Sequence, residues 1–104
     1  MALRVNSESF ESEVLKAEGV VIADFYSDSC VPCKRLSPVL SEVEQELGDK
    51  AKLVKININF DAELAEKFDV MSVPTLIFFR NGEEISRLGG TVKKSEIISE
   101  IEKL

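Results

Sequence analysis

Two cysteines stand three residues apart in the stretch Asp28-Ser29-Cys30-Val31-Pro32-Cys33-Lys34, and the chain contains no others. The segment before it, Val20-Val21-Ile22-Ala23-Asp24-Phe25-Tyr26, is rich in β-branched and aromatic residues and shows no polar alternation, which predicts a buried strand. After it, apolar residues recur at helical spacing and predict a helix over residues 31–47. A strand leading into a helix places Cys30 at the helix N-terminus. There, unpaired N–H groups and the helix dipole favour the thiolate, which is the reactive form of cysteine.

Cys30 and Cys33 are one helical turn apart, so their side chains face each other closely enough for a disulfide. Two other interpretations exist: a pair of buried small hydrophobes, and half of a zinc site. A zinc site would need ligands from a second copy, because the chain has no further cysteine and no histidine. The spacing, the intervening proline and the strand-to-helix junction favour redox exchange. The absence of histidine also excludes any mechanism in which a histidine of this chain is the base.

The position of Cys30 nearest the helix end predicts that it is the exposed nucleophile, attacking a substrate disulfide to form a mixed disulfide. Cys33 is then expected to resolve that intermediate. Pro32 is compatible with the first helical turn, where its missing N–H is not needed, and it stiffens the loop between the sulfurs. Lys34 adds positive potential near the thiolates or is an ordinary solvated lysine.

These residues resemble the active site of the thioredoxin family, in which Trp-Cys-Gly-Pro-Cys-Lys follows a strand ending in an aspartate–aromatic pair. The resemblance extends over nearly the whole chain, through Val73-Pro74-Thr75, the Asn81-Gly82 turn and Gly90 to the C-terminal helix. Ser29 stands where the family has tryptophan, which removes an aromatic from the docking rim. Val31 stands where the family has glycine and stiffens the dithiol loop. We therefore expect Val31 and Pro32 to tune the redox potential, in a direction that the sequence does not specify.

Asp24 is the most informative residue outside the cysteine motif. A carboxylate within an apolar strand is desolvated, which raises its pKa and suits it to proton transfer near neutral pH. The resemblance implies that Asp24 assists deprotonation of Cys33 and that Lys55, on the neighbouring strand, modulates Asp24. The alternatives are a capped or water-linked acid at a strand end for Asp24, and an ordinary strand lysine reaching solvent for Lys55.

Val73-Pro74 precedes a predicted strand, and the residues alone indicate only a turn there, because most X-Pro bonds are trans. The resemblance implies a cis bond beside the cysteines, with the Val73 backbone pairing to an extended substrate by strand addition. Gly90, after Gly89, would let another loop approach the same site closely. Val73, Pro74 and Gly90 are thus the candidate substrate-binding residues.

Periodicity and turn signals predict an α/β fold with a mixed central sheet and helices on both faces, in a single domain over residues 1–104. The resemblance implies that this is the thioredoxin fold. Pro38 is expected to kink the long helix, and Asp61 to cap the one that follows the third strand. The predicted strands cover residues 2–5, 20–26, 51–58, 75–80 and 84–88. A first helix is predicted after Ser7-Glu8-Ser9, which would supply its N-cap, and the other predicted helices cover residues 31–47, 61–68 and 93–104.

A net charge of −6 argues against nucleic acid or anionic lipid as a partner. The first residues, Met1-Ala2-Leu3-Arg4, lack the apolar region of a signal peptide, and no segment has membrane-spanning length, so the expected compartment is the cytoplasm. The resulting hypothesis is a monomeric general protein-disulfide reductase and electron carrier. It would have no cofactor or metal beyond the Cys30–Cys33 disulfide, and a thioredoxin reductase would recharge it. The alternatives are a thiol oxidase or isomerase of the same fold, or a docking subunit with incidental redox activity.

Overall fold

The computed structural model describes residues 3–104, which form a five-stranded mixed sheet covered by helices on both faces. The sheet order is β1-β3-β2-β4-β5; β1, β3 and β2 are parallel, and β4 and β5 are antiparallel to their neighbours. The predicted thioredoxin-type α/β architecture is confirmed. The strands are β1 (Leu3–Arg4), β2 (Val20–Tyr26), β3 (Ala51–Asn57), β4 (Thr75–Arg80) and β5 (Glu83–Gly89).

Two layers of helix flank the sheet. The long helix α1 (Val31–Leu47) and the C-terminal helix α3 (Lys94–Glu102) pack on one face, while α2 (Ala62–Lys67) and a short π-helix (Glu11–Leu15) pack on the other. A 3₁₀ turn (Gly48–Lys50) connects α1 to β3. The α1 assignment continues through Pro38. Within residues 3–104, none of the helices combines the length and the apolar composition needed to cross a membrane.

The central strand β2 is buried because both of its faces meet apolar side chains. Side chains alternate across a strand, so Val21, Ala23 and Phe25 join the core under α2 and the π-helix, while Ile22 joins the core under α1 and α3. Asp24 is on the Ile22 side. A strand covered on both faces is expected to be almost continuously apolar, and the run from Val20 to Tyr26, interrupted only by Asp24, could therefore be identified from sequence.

The segment before β2 differs from its prediction. Phe10 and Val14 are buried as expected, but the Lys16 N–H bonds to the Glu11 carbonyl five residues back, which makes the helix a π-helix. The predicted serine cap is also wrong: the Asn6 side chain accepts the Ser9 N–H at 2.9 Å. Residue 2 of the predicted first strand lies outside the described residues.

Asp61 is at the start of α2, yet its side chain caps no helix N–H. Its Oδ1 atom instead accepts the backbone N–H and the hydroxyl of Ser7, at 3.0 and 3.1 Å. The Asn81-Gly82 turn forms the predicted hairpin, with φ of 50° and 84°. A side chain at Gly82 would also place its Cβ 2.6 Å from the Leu15 carbonyl oxygen. Both the positive φ and this close approach therefore require glycine at position 82.

Candidate active site

Cys30 and Cys33 are joined by a disulfide at the N-terminus of α1, with their Cα atoms 5.2 Å apart. Cys30 is the helix N-cap in an extended conformation, and its Sγ accepts the Cys33 N–H at 3.1 Å. Its carbonyl accepts the Lys34 N–H at 3.2 Å. The Cys30 sulfur therefore takes the place that a serine or aspartate oxygen normally occupies at a helix start, where negative charge is stabilised.

The predicted exposure of Cys30 is wrong in the disulfide form. Cys30 is 9% exposed and Cys33 is 8% exposed, so accessibility does not distinguish them. Both cysteines lie at the start of α1, where the surrounding chain covers the N-cap residue as fully as the residue inside the first turn. Val31 between them is 55% exposed and presents its methyl groups to solvent.

Asp24 is buried, with 4% of its surface exposed, and its Oδ1 has no hydrogen-bond partner among the described residues. Burial raises the pKa of this carboxyl from its ordinary value of 3.8 to about 6, against the opposing influence of the Lys55 charge. The carboxyl therefore changes its protonation state near neutral pH. A capped acid would need a donor at this oxygen, and no described residue supplies one to Oδ1.

Lys55 lies directly across from Asp24 in the parallel pairing of β2 with β3. Both residues occupy the sheet face that α1 covers, because they share the side of Ile22 and Leu53. The Lys55 ammonium group lies 4.6 Å from the centroid of the Tyr26 ring, a cation–π contact on the same side of the sheet. Lys55 thus influences Asp24 through charge while its ammonium group is held against Tyr26.

A cavity of about 150 Å³ connects the buried carboxylate to the second cysteine. It brings together three of the predicted residues, Asp24, Cys33 and Lys55. Lys34, one of whose two interpretations is a source of positive potential near the thiolates, also lines it. Sequence reasoning missed the other lining residues, although two carried a usable signal: Ser37 is one α-helical turn beyond Cys33, and Tyr26 is two strand positions beyond Asp24. The full lining consists of Asp24, Tyr26, Ser27, Asp28, Cys33, Lys34, Ser37 and Lys55.

The predicted substrate-binding residues form a second group. The Val73–Pro74 peptide bond is cis, as the resemblance implied. The Gly90 N–H donates to the Pro74 carbonyl at 2.9 Å, so the two loops lie side by side. Pro74 is buried, Val73 is half-buried and Gly90 is exposed with a φ of 80°. None of these three residues lines the cavity that holds Asp24.

Comparison with known proteins agrees with this arrangement. The sequence profile of the thioredoxin family matches residues 1–103. The chain belongs to the thioredoxin family. A thioredoxin from Bacillus subtilis (strain 168) is 42% identical over 99 residues, covering 95% of this chain and 92% of that protein. Thioredoxins from Rickettsia bellii (strain RML369-C) and Rickettsia felis (strain ATCC VR-1525 / URRWXCal2) are 38% and 35% identical, covering 94% and 99% of this chain and 93% and 98% of theirs.

As a member of the thioredoxin family, the protein is a thiol–disulfide oxidoreductase, and the Cys30–Cys33 pair is its redox-active disulfide. Thiol–disulfide exchange needs a thiolate, a second thiol within bonding reach and a disulfide partner. Reduction of the Cys30–Cys33 disulfide supplies the first two within one turn of α1. Within residues 3–104, no group of three or more Cys, Asp or Glu side chains is placed to hold a metal ion.

Proposed function

We propose that the protein is a general protein-disulfide reductase and electron carrier in which Cys30 attacks and Cys33 resolves. The observation that supports this most strongly is the hydrogen bond from the Cys33 N–H to the Cys30 sulfur at the start of α1. In the dithiol form, this donor and the helix N-terminus stabilise negative charge on Cys30. Cys33 lies inside the helix, without that advantage.

The proposed reaction has two exchanges. The Cys30 thiolate attacks one sulfur of a substrate disulfide, forming a Cys30–substrate bond and releasing the other substrate sulfur as a thiolate, which takes up a proton. Cys33 then loses its proton and attacks the Cys30 sulfur, which breaks the mixed disulfide and releases the second substrate thiolate. Two electrons pass to the substrate, and the protein is left with the Cys30–Cys33 disulfide.

Asp24 is the proposed acceptor of the Cys33 proton. Its carboxylate and Cys33 line one cavity, its Oδ1 is not occupied by another group of the described chain, and its pKa of about 6 matches transfer near neutral pH. Lys55 opposes the effect of burial and keeps part of the Asp24 population ionised at that pH. The lysine therefore acts on Cys33 through Asp24.

Substrate docking is assigned to the second group of residues. An extended segment around the substrate disulfide would pair with the Val73 backbone, next to Pro74, with the exposed Gly90 leaving room for it. Val31 and Pro32 tune the potential: both restrict the loop that must change geometry between dithiol and disulfide. If Val31 tunes the potential, a Val31→Gly variant will have a reduction potential different from that of the wild type.

The chain is proposed to act as one thioredoxin domain over residues 1–104, as a monomer in the cytoplasm, without a prosthetic group. A thioredoxin reductase would return the oxidised form to the dithiol. The supporting features are the match of the family profile over residues 1–103 and the net charge of −6, which disfavours nucleic acid and anionic lipid as partners.

Trapping experiments test the assignment of roles. The reduced Cys33→Ser protein, mixed with a disulfide-containing substrate protein, is expected to accumulate a mixed disulfide through Cys30. The matched Cys30→Ser variant is expected to accumulate little or none. Equal trapping by the two variants, measured on non-reducing gels, would reverse or remove the assignment.

A reduction potential separates a reductase from an oxidase. Equilibration with glutathione should place the couple near the value known for thioredoxins, about −270 mV, and far below the value of about −120 mV known for a strong oxidant. A value close to that of the oxidant would contradict the reductase proposal and favour a thiol oxidase.

A further inference from the structure

Phe60 is the one aromatic side chain among the described residues that is both large and strongly exposed, with 79% of its surface open to solvent. It lies in the loop between β3 and α2, at the end of the sheet where α1 begins. Covering this ring with an apolar group would be favourable, because apolar surface would be removed from water.

The backbone on both sides of Phe60 is fixed. The Asn59 side chain accepts the Asp28 N–H at 2.9 Å, which ties this loop to the residues just before Cys30. The Phe60 N–H itself donates to the Asn57 carbonyl at 3.1 Å, and the Asp61 carboxylate is held by Ser7. The ring is therefore presented from a structured loop, which lowers the entropy cost of using it as a contact.

Phe60 forms one wall of a groove of about 230 Å³ that we call the Phe60 groove. Tyr26 and Lys55 line both this groove and the cavity that contains Asp24 and Cys33. The groove and the cavity are therefore adjacent, with these two side chains between them. The groove is thus within reach of a polypeptide already docked at the disulfide. Its lining residues are Arg4, Val5, Asn6, Tyr26, Lys55, Asn57, Phe60 and Asp61.

The charged side chains that line the Phe60 groove are mostly positive. Arg4 and Lys55 contribute two cations, whereas the single acid of the lining, Asp61, already accepts two hydrogen bonds from Ser7. A locally cationic, partly aromatic groove stands out on a chain of net charge −6. Apolar and aromatic surface matches an apolar side chain, and two cations match a carboxylate beside it.

We propose that the Phe60 groove is a specificity site that binds a substrate segment in which an apolar side chain neighbours an acidic one. This inference rests on the proposed reductase function and names the class of polypeptide that the enzyme prefers. The apolar side chain packs on Phe60 and Tyr26, and the acidic one pairs with Arg4 and Lys55. The disulfide of the same polypeptide meanwhile reacts at Cys30.

The test compares three synthetic disulfide peptides that share their cysteine flanks and differ only in a distal segment: Leu-Glu-Leu-Glu, Leu-Lys-Leu-Lys or Ser-Glu-Ser-Glu. Second-order rate constants for reduction are measured at 0.15 M salt, where screening over about 8 Å limits the repulsion from the net charge. The variants are Phe60→Ser and Arg4→Gln. Matched controls are Ile85→Ser, an exposed apolar residue of β5, and Arg80→Gln, an exposed arginine at the far end of β4.

The wild type is expected to reduce the Leu-Glu peptide fastest. Phe60→Ser should slow that peptide about fivefold and the Ser-Glu peptide less than about twofold. Arg4→Gln should slow the Leu-Glu peptide about threefold and leave the Leu-Lys peptide unchanged. Both controls should remain within about twofold of wild type on all three peptides. Equal rates for the three peptides, or equal losses in the variants and their controls, would overturn the proposal.

A binding measurement separates this proposal from the reductase function. NMR titration of the oxidised wild-type protein with a Leu-Glu peptide whose cysteines are replaced by serine should shift the amides of Tyr26, Lys55 and Phe60. Absence of those shifts overturns the groove assignment even if reduction proceeds. Shifts with the serine peptide, combined with no reduction of any of the three disulfide peptides in the kinetic assay, would support the groove and overturn the reductase function.

Discussion

Lys52 and Lys55 lie three residues apart on β3, on opposite faces of the sheet. Each has a carboxylate neighbour, Glu13 for Lys52 and Asp24 for Lys55, and the two carboxylates differ in burial and in hydrogen bonding. The Lys52 ammonium group donates to the Glu13 carboxylate at 2.8 Å and to the Glu13 carbonyl at 2.9 Å, with both side chains about one-third exposed. Asp24, across from Lys55, is buried, and its Oδ1 has no hydrogen-bond partner within the described chain.

This difference indicates that the Glu13 carboxylate contributes to the fold, whereas the Asp24 carboxylate contributes to the reaction. The Glu13–Lys52 pair costs little because water still reaches it, and it ties the π-helix to the sheet. Asp24 is a cost to the fold, because a buried carboxylate loses its hydration without a full set of partners. A residue that destabilises the fold and lines the cavity of Cys33 is best explained by the chemistry it performs.

The largest effect is expected from removing the Asp24 charge. Asp24→Asn should raise the free energy of unfolding of the oxidised protein at pH 8. The rise in pKa from 3.8 to about 6 corresponds to a penalty of about 3 kcal/mol, which is an upper limit because the amide also needs partners. Urea denaturation measures the difference. A variant less stable than wild type at pH 8 would mean that the Asp24 charge is compensated in the fold.

The same comparison has a defined pH dependence. The folded-state pKa of Asp24 lies above the unfolded value, so the folded protein binds the proton more tightly, and stability is lost as pH rises from about 4 to about 7. The stability advantage of Asp24→Asn over wild type should therefore be small near pH 4 and reach its full size above pH 7. Denaturation curves for both proteins across this range check the sign, and an advantage that shrinks with rising pH would contradict it.

A smaller effect is expected from Lys55. Because its charge lowers the pKa of Asp24 against the effect of burial, Lys55→Gln should raise that pKa further, and the carboxyl resonance of Asp24 should titrate at higher pH by NMR. Lys52→Gln is the matched control on the other face of the sheet and should leave this titration unchanged. Equal shifts in both variants, or none in either, would show that Lys55 does not act on Asp24 specifically.

The smallest effect is expected from the paired carboxylate. Glu13→Gln should lower the free energy of unfolding by about 0.5 kcal/mol, and added salt should diminish this loss, as for other partly exposed ion pairs. Denaturation at low and high salt measures both. A stabilisation comparable to that of Asp24→Asn would erase the distinction between the two carboxylates.

Much of this arrangement follows from local sequence. The bounds of β2 and α1 agree with prediction, because an uninterrupted β-branched run ends at Tyr26 and because Gly48, with a φ of 54°, closes a helix of regular apolar spacing. The π-helix could not be anticipated, since one additional residue in a single turn changes little in the spacing of Phe10 and Val14.

What depends on tertiary distance could not be predicted. The near-equal burial of Cys30 and Cys33 depends on how distant parts of the chain cover the start of α1. Sequence spacing places Ser37 near Cys33, but it does not reveal a cavity reaching Asp24. A phenylalanine after a buried strand is normally assigned to the core, so the exposure of Phe60 was visible only in the fold.

The central claim is that the Asp24 carboxylate accepts the Cys33 proton. The most direct test is the rate at which the mixed disulfide of a peptide with Cys30 is resolved, measured by rapid quenching from pH 5 to pH 8 in wild type and Asp24→Asn. Only an ionised carboxylate can accept a proton, so the ratio of the two rates should be near one at pH 5 and rise to about tenfold or more at pH 8. A ratio that stays constant across this range, or equals one throughout, would contradict the account.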